Sequence, residues 1–518
     1  MSPHVEAQSH KTIPTNTTGV EPFGTRFLTP NDLKNISTWK NDIYDKSLST
    51  RIISPIGDFL AKYIPATLAP NVLTLASLVC ALQAYYYTFM YRKTHPYFAS
   101  ATAIVMFTLY QLFDCVDGKH AKNIRNESPL GYLFNQACDN VAVIFIIITM
   151  AMLMGFDPDI DSDARCVWYA VQTGQLVFLW SQLSAFKKGF ITYGLFTGPG
   201  EALFVFQMAI VVKMLTGFDY FRILAMLPDT LSGDPVSQVH TVYYAFLIAL
   251  IIRVVVIKEN PATRNILLFC LLYRTVPSMA VERFYSLWCL DPLGPGLLFV
   301  LGITNSTSLE SIICDGLFMS IVTADLVVAR MAHRDVHGWL VFMAMVSLLD
   351  KLAIIACAVF YYCSIFYDIC SYMNLPMFTP VKNVYIDGVF DLCHLGHKNH
   401  IARALNYGNR LFVGVMSDED VRKYKRDPIM TLEERVAEVQ SLRCVYKVIP
   451  NAPCFGMDKE FIRKWNIHVV LASPEYDKPD DNYYRVPREM GILQIMPRTE
   501  GVSTSDIIKR IKNRTDLD

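Results

Sequence analysis

The sequence predicts two architectures in one chain: a polytopic α-helical membrane domain of about ten spans, then a soluble, doubly wound α/β domain. Three observations lead there. Of 518 residues, 52% are hydrophobic and only 18% charged, a balance that suits a membrane protein and a length that allows two or three domains. Apolar runs long enough to span a bilayer recur as far as residue 371. From Val384 onward, short strands alternate with helices, the pattern of a parallel sheet. The formal net charge is zero, which argues against nucleic acid as a partner. The thirteen cysteines have no paired spacing for zinc and read as small buried hydrophobes.

Residues 1–34 form a polar tail without the apolar core of a cleavable signal peptide. Residues 51–64 are amphipathic and suit either the membrane surface or a soluble-side packing helix. Candidate spans follow at 71–91, 96–114, 131–154, 167–187, 200–216 and 239–258, with less divisible runs at 264–304, 308–329 and 338–371. Lys40, Lys46 and Arg51 precede the first span, which places the N-terminus in the cytosol. Alternation then puts Lys119–Arg125, Lys187–Lys188 and Lys258–Arg264 on that side too. One span in 264–304 and a hairpin near Asp350–Lys351 bring the count to about ten and return the C-terminus to the cytosol. Pro376 and Pro380 mark a linker over 372–382, so the membrane domain is set at 35–371 and the soluble domain at 383–514.

Polar residues concentrate between Asp114 and Asp139. Asp114, Asp117 and Ala121 are spaced i, i+3, i+7 and share a helix face; Gly131, Asn135 and Asp139, at i, i+4, i+8, share a face of a second helix. Carboxylates at membrane depth are costly and mark functional sites, and oxygen-only ligands suit Mg²⁺ or Mn²⁺ holding a diphosphate. Gly118 and Ala121 are small enough for a phosphate to approach the backbone. The segment resembles the CDP-alcohol phosphatidyltransferase signature, D-x2-D-G-x2-A-R-x8-G-x3-D-x3-D. Asp114, Asp117, Gly118, Ala121, Gly131 and Asp139 match it, whereas Lys122 stands in place of Arg and Asn135 in place of the third Asp. The resemblance implies a metal on Asp114, Asp117, Asn135 and Asp139, with Asp139 as general base. It also implies CDP-alcohol binding by Asp114, Asp117, Gly118, Ala121, Lys122 and Gly131. Gly198-Pro199-Gly200-Glu201 resembles a G-P-x-E element of the same family, in which Glu201 would meet the alcohol head group. An acid favoured at a helix start is the other reading of Glu201.

In the soluble part, the expected elements are a strand at Val384–Ile386, a helical run to about Tyr407, a strand at Leu411–Met416, a helix at Thr431–Arg443 and a strand at His468–Ala472. Ligands of such sheets bind beyond the carboxyl ends of the strands. His394-Leu395-Gly396-His397 falls in the first strand-to-helix turn, where a helix N-terminus and two imidazoles can hold phosphate. This is the H-x-G-H signature of the nucleotidyltransferases. Arg498-Thr499-Glu500-Gly501-Val502-Ser503-Thr504-Ser505 is similar to the R-T-E-G-x-S-T-[ST] word of the cytidylyltransferases, and Lys425 matches their phosphate-binding lysine. The resemblance implies a CTP site of Asp387, Gly388, Phe390, His394, Gly396, His397, Lys425, Arg498, Thr499, Gly501, Ser503 and Thr504. Within it, His394, His397, Lys425 and Arg498 would be catalytic, acting on an in-line attack at the α-phosphorus of CTP. Tyr446 replaces a family Asp, which points to unusual head-group selectivity.

Joined, the halves imply a pathway in which CTP and phosphocholine or phosphoethanolamine give a CDP-alcohol, and the membrane half transfers the phospho-alcohol to diacylglycerol. A rival reading makes the membrane half an inactive anchor or CDP-alcohol-binding module for a working cytidylyltransferase. The expected partners are CTP, the phospho-base, diacylglycerol and membrane lipids, with a homodimer left open. The expected location is the endoplasmic reticulum or Golgi membrane, with the soluble domain facing the cytosol.

Overall fold

Residues 27–40, 43–45, 47–193, 198–217, 235–273, 308–349, 353–478, 480–497 and 503–513 are described by the structure, a computed structural model of the chain. Six described helices of the first domain, Pro30–Thr38, Pro70–Tyr91, Pro96–Asn123, Pro129–Met154, Pro199–Thr216 and Pro235–Val255, begin on proline. The first helical turn does not use its amide hydrogens, so proline starts a helix without cost there. Leu309–Ala332 is buried along most of its length, and Pro129–Met154, Asp161–Lys188 and Ala353–Met373 pack around it.

Among the described residues, five helices are long and apolar enough to cross a membrane: Pro70–Tyr91, Pro96–Asn123, Pro129–Met154, Leu309–Ala332 and Ala353–Met373. The expected total of about ten is not reached among them. Asp161–Lys188, expected as a span at 167–187, falls short because polar residues interrupt it. They are used inside the bundle: Gln175 Nε2 donates to the Asn140 carbonyl at 2.9 Å and Gln182 Nε2 to Gln136 Oε1 at 2.7 Å. The turn near Asp350–Lys351 and the run beyond residue 273 lie outside the described residues. The span expected at 96–114 continues as helix to Asn123, carrying its polar end out of the apolar stretch.

The end of the expected polar tail is not free. Thr29 caps the helix Pro30–Thr38 with a capping box, Leu28, Leu33 and Ile36 are buried in the main core, and Asp368 accepts from the Leu28 amide at 3.0 Å. Residues 27–34 therefore belong to the helical domain. The amphipathic stretch forms the helix Leu48–Leu60. It is tied to the polar end of Pro96–Asn123 by Lys119, whose Nζ lies 2.6 Å from Asp58 Oδ1. Ile52, Ile56, Phe59 and Tyr63 stay exposed on one side, as a helix lying on a bilayer surface requires. Two short strands, β1 (Ile43–Asp45) and β2 (Ile191–Tyr193), pair in parallel.

The C-terminal domain is a five-stranded sheet of β3 (Asn383–Gly388), β4 (Arg410–Met416), β5 (Lys447–Ala452), β6 (Val469–Ala472) and β7 (Leu493–Ile495), in the order β5-β4-β3-β6-β7. All pairs are parallel. Alternating side chains of β3 feed two cores, Val384 and Ile386 on one face and Tyr385 on the other. The strand order reverses beside β3, so a crevice opens at its carboxyl end. The opposite, amino ends of the strands face the helical domain: Arg410 Nη2 donates to the carbonyls of Met373, at 3.1 Å, and Asn374. Every cysteine among the described residues is a free thiol.

Candidate active sites

The first site lies where the helices Pro96–Asn123 and Pro129–Met154 run side by side. A cavity of about 1880 Å³ opens there, and Asp114, Asp117, Gly118, Ala121, Lys122, Gly131, Asn135, Asp139 and Glu201 all line it. Facing residues pair across the two helices. Asn135 Nδ2 donates to Asp114 Oδ1 at 2.7 Å and to Asp117 Oδ2 at 3.3 Å, and Tyr110 Oη donates to Asp139 Oδ1 at 2.8 Å. Thr74 Oγ1 also donates to Asp117 Oδ2. A Cβ placed on Gly118 would meet nothing within 4 Å, so this stretch of wall has room for a bulky group. Glu201 sits in the first turn of Pro199–Thr216, its carboxylate against Gly198.

The donor set can be tested against the implied metal. Two carboxylate oxygens, from Asp114 and Asp117, converge on one point, now taken by the Asn135 amide nitrogen. Such convergence suits a hard cation, and the same amide carries an oxygen that Mg²⁺ accepts as a ligand. Asp139 is instead turned to Tyr110. Among the described residues, no three His, Cys, Asp or Glu side chains gather as a metal site, so the fit rests on Asp114, Asp117 and Asn135.

The second site occupies the crevice at the carboxyl end of β3. Phe390 and Leu392 take left-handed backbone conformations, with φ of 55° and 53°, which turn the chain sharply before His394. His394 is the N-cap of the helix Leu395–Ala404, and its ring stacks on His397 with centroids 3.9 Å apart. His394 Nε2 lies 3.2 Å from Thr504 Oγ1, which itself donates to the Asp391 carbonyl at 3.2 Å. The first strand-to-helix turn and the last helix, Thr504–Lys512, thereby meet. Burial pushes the His397 imidazole down to about 4, helped by the neighbouring bases His394, His400 and Lys425. Burial lowers His394 as well. Both rings are therefore neutral at pH 7.

Other expected residues divide. Gly388 lies under the Phe390 ring, which a Cβ would approach to 3.0 Å. Lys425 ends the helix Asp418–Tyr424 near enough to His397 to act on its charge. Ser503 caps the helix Thr504–Lys512, accepting from the Asp506 amide at 3.1 Å. Arg498, Thr499 and Gly501 lie outside the described residues. Of Asp387, Oδ1 accepts from Tyr484 Oη at 2.7 Å, while Oδ2 is buried without a hydrogen-bond partner. Burial pushes this carboxyl up to about 6.

Residues 67–263 match the CDP-alcohol phosphatidyltransferase family model, and residues 385–510 match the cytidylyltransferase-like family model. The chain carries one domain of each family. The second is 38% identical over 136 residues to an ethanolamine-phosphate cytidylyltransferase of Dictyostelium discoideum, covering 25% of this chain and 38% of the relative. It is also 38% identical over 146 residues to choline-phosphate cytidylyltransferase A of Rattus norvegicus, covering 27% of this chain and 39% of the relative. The match thus spans well under half the length of these relatives.

Two features of the cytidylyltransferase-like domain escape a reading of the sequence. Arg435, in the helix Leu432–Gln440, is fully buried. Its guanidinium donates to the carbonyls of Val389 at 2.7 Å and Met416 at 2.9 Å, pinning the ends of β3 and β4 that frame the crevice. Around Asp387, the rings of Tyr476, Tyr483 and Tyr484 lie within 5.6 Å of one another. Tyr446, expected to affect head-group selectivity, packs on Phe412 at the other end of the sheet, with Arg410 Cζ 4.7 Å above its ring. It holds the arginine that meets the helical domain and is remote from the crevice.

Proposed function

We propose that this chain performs two consecutive steps of phospholipid synthesis, with a domain boundary in 372–382. In the first, a phosphate oxygen of phosphocholine or phosphoethanolamine attacks the α-phosphorus of CTP. The bond to the bridging oxygen breaks and pyrophosphate leaves. His394 and His397, neutral and stacked, donate hydrogen bonds to the crowded phosphorus oxygens, and Lys425 draws charge from the leaving phosphates. In the second step, the hydroxyl of diacylglycerol attacks the phosphorus next to the alcohol of the CDP-alcohol. Its proton passes to Asp139, and CMP leaves. A bound Mg²⁺ or Mn²⁺ would be held by Asp114, Asp117 and Asn135 and would neutralise the diphosphate. The soluble domain faces the cytosol, where CTP is available.

The observation that supports this reading best is the convergence of the whole signature on one cavity, on the face of the helical domain that carries the second domain. Feeding the purified chain separately with CTP plus each phospho-base, and with preformed CDP-alcohol plus diacylglycerol, tests the two steps one at a time. Pyrophosphate release without any transfer to diacylglycerol would favour the anchor reading.

The buried, half-paired Asp387 among tyrosine rings suits a cationic head group, since a carboxylate and π faces both attract ammonium. Asp387→Asn is expected to raise KM for the phospho-base about 10- to 100-fold, the loss of one charge-assisted partner, with KM for CTP little changed. Equal shifts in both constants would move Asp387 to the nucleotide. At the membrane site, Asn135→Asp should lower the Mn²⁺ concentration giving half-maximal transfer. It should also tighten Mn²⁺ binding measured by spin resonance, because a third carboxylate joins the set. Unchanged binding would remove Asn135 from the metal.

A further inference from the structure

Among the described residues, hydrogen bonds tie the sheet domain to the helical domain and its linker at two places, and both contacts end on segments that wall the membrane cavity. The first is the connector between the two signature helices, Ile124–Ser128. Arg125 has a left-handed φ of 53°, and its carbonyl accepts from Asn466 Nδ2 at 2.9 Å and lies 3.4 Å from His468 Nε2. Asn383 holds both donor residues, one by its ring and the other by its backbone. His468 Nδ1 accepts from the Asn383 amide at 3.0 Å, which leaves Nε2 as the protonated nitrogen facing Arg125. Asn383 Nδ2 in turn donates to the Asn466 carbonyl at 3.0 Å. On the cavity side, Asn126, Glu127 and Ser128 form part of the wall.

The second contact is the linker. Arg410, steadied by Tyr446, donates to the last carbonyls of the helix Ala353–Met373. Asn409 Nδ2 donates to the Pro380 carbonyl at 2.8 Å. Between these points, Leu375, Pro376 and Met377 run along the cavity mouth, where Asn71 Nδ2 donates to the Met377 carbonyl at 2.8 Å.

We propose that the cytidylyltransferase-like domain is a structural part of the membrane site, with Asn466 and His468 as positioning residues that hold the Arg125 carbonyl and so fix the connector between Asp117 and Gly131. This rests on the reading of the cavity as the CDP-alcohol site. Through the connector, the docked domain keeps the two acid-bearing helix ends in register. The sheet's own crevice opens at the far end of the strands, roughly 20 Å away, so the coupling is mechanical and the CDP-alcohol crosses through solution.

The test uses the full chain in detergent and the variant Asn466→Asp. Asp tolerates the left-handed backbone of position 466 (φ 47°) but sets an acceptor against the Arg125 carbonyl. Amide hydrogen exchange over 124–128 should speed up about tenfold, and KM for preformed CDP-alcohol should rise about tenfold, as expected for losing a well-formed hydrogen bond. CTP-dependent pyrophosphate release should stay at the unmodified rate, which also reports an intact fold. Unchanged exchange overturns the proposal, as does faster exchange with an unchanged KM. If the unmodified chain transfers nothing to diacylglycerol, the transferase reading fails by itself. Calorimetric binding of the CDP-alcohol then replaces KM, and equal affinity in the variant overturns the proposal.

Discussion

Replacing His397 with alanine is expected to lower CTP-dependent pyrophosphate release by about 10²–10³-fold, the usual cost of one preorganised donor to a developing charge. The reason lies in how the ring is held. It is stacked on His394 and edge-on to Phe390 at 5.5 Å, which fixes its orientation before substrate arrives. His394→Ala should cost a similar factor and also loosen Thr504, its partner at 3.2 Å. Burial and neighbouring basic groups push His397 down to about 4, so it gains a proton only when pH falls below that. At saturating phospho-base, kcat/KM for CTP should therefore show no His397 ionisation near the ordinary imidazole value. Near-normal turnover in both alanine variants, measured as pyrophosphate release, would remove these histidines from the reaction.

Asp139→Asn is expected to lower transfer from preformed CDP-alcohol to diacylglycerol by about 10²–10⁴-fold, the range for removing a general base. Pyrophosphate release from CTP should be unaffected, since Asp139 and the β3 crevice belong to separate domains. Tyr110 Oη donates to Asp139 Oδ1 at 2.8 Å and orients it, so Tyr110→Phe should produce a smaller loss in kcat with KM for CDP-alcohol retained. Radiolabelled phospholipid extracted into organic solvent reports the rate. Full transfer by the Asp139→Asn variant would leave the enzyme standing and assign the base elsewhere.

The two sites are legible in the sequence because their chemistry restricts residue types at fixed spacing. Asp114, Asp117, Asn135 and Asp139 fall on two facing helix sides from period alone, and the cavity gathers them. His394 and His397 are readable from a strand followed by a turn and a helix. Less is legible where packing overrides local pattern. Asp161–Lys188 reads as a span by position, yet its glutamines bond within the bundle. β5 contains Pro450 and lies at the sheet edge, and β7 has only three residues, so neither gives the alternation of a strand. Arg435 carries no local sign of burial, because its partners include the carbonyls of Val389 and Met416, distant in the chain. Tyr446 is misread as a selectivity residue because a substitution in a motif reveals nothing of which end of the sheet it occupies.

The most direct test of the account supplies the purified chain in diacylglycerol-containing micelles with CTP, Mg²⁺ and a radiolabelled phospho-base, and follows label through both products. The account predicts that label enters the CDP-alcohol first and then phospholipid, with one CMP released for each phospholipid formed. Label that accumulates in the CDP-alcohol and never reaches lipid, at any Mg²⁺ or Mn²⁺ concentration, would contradict it.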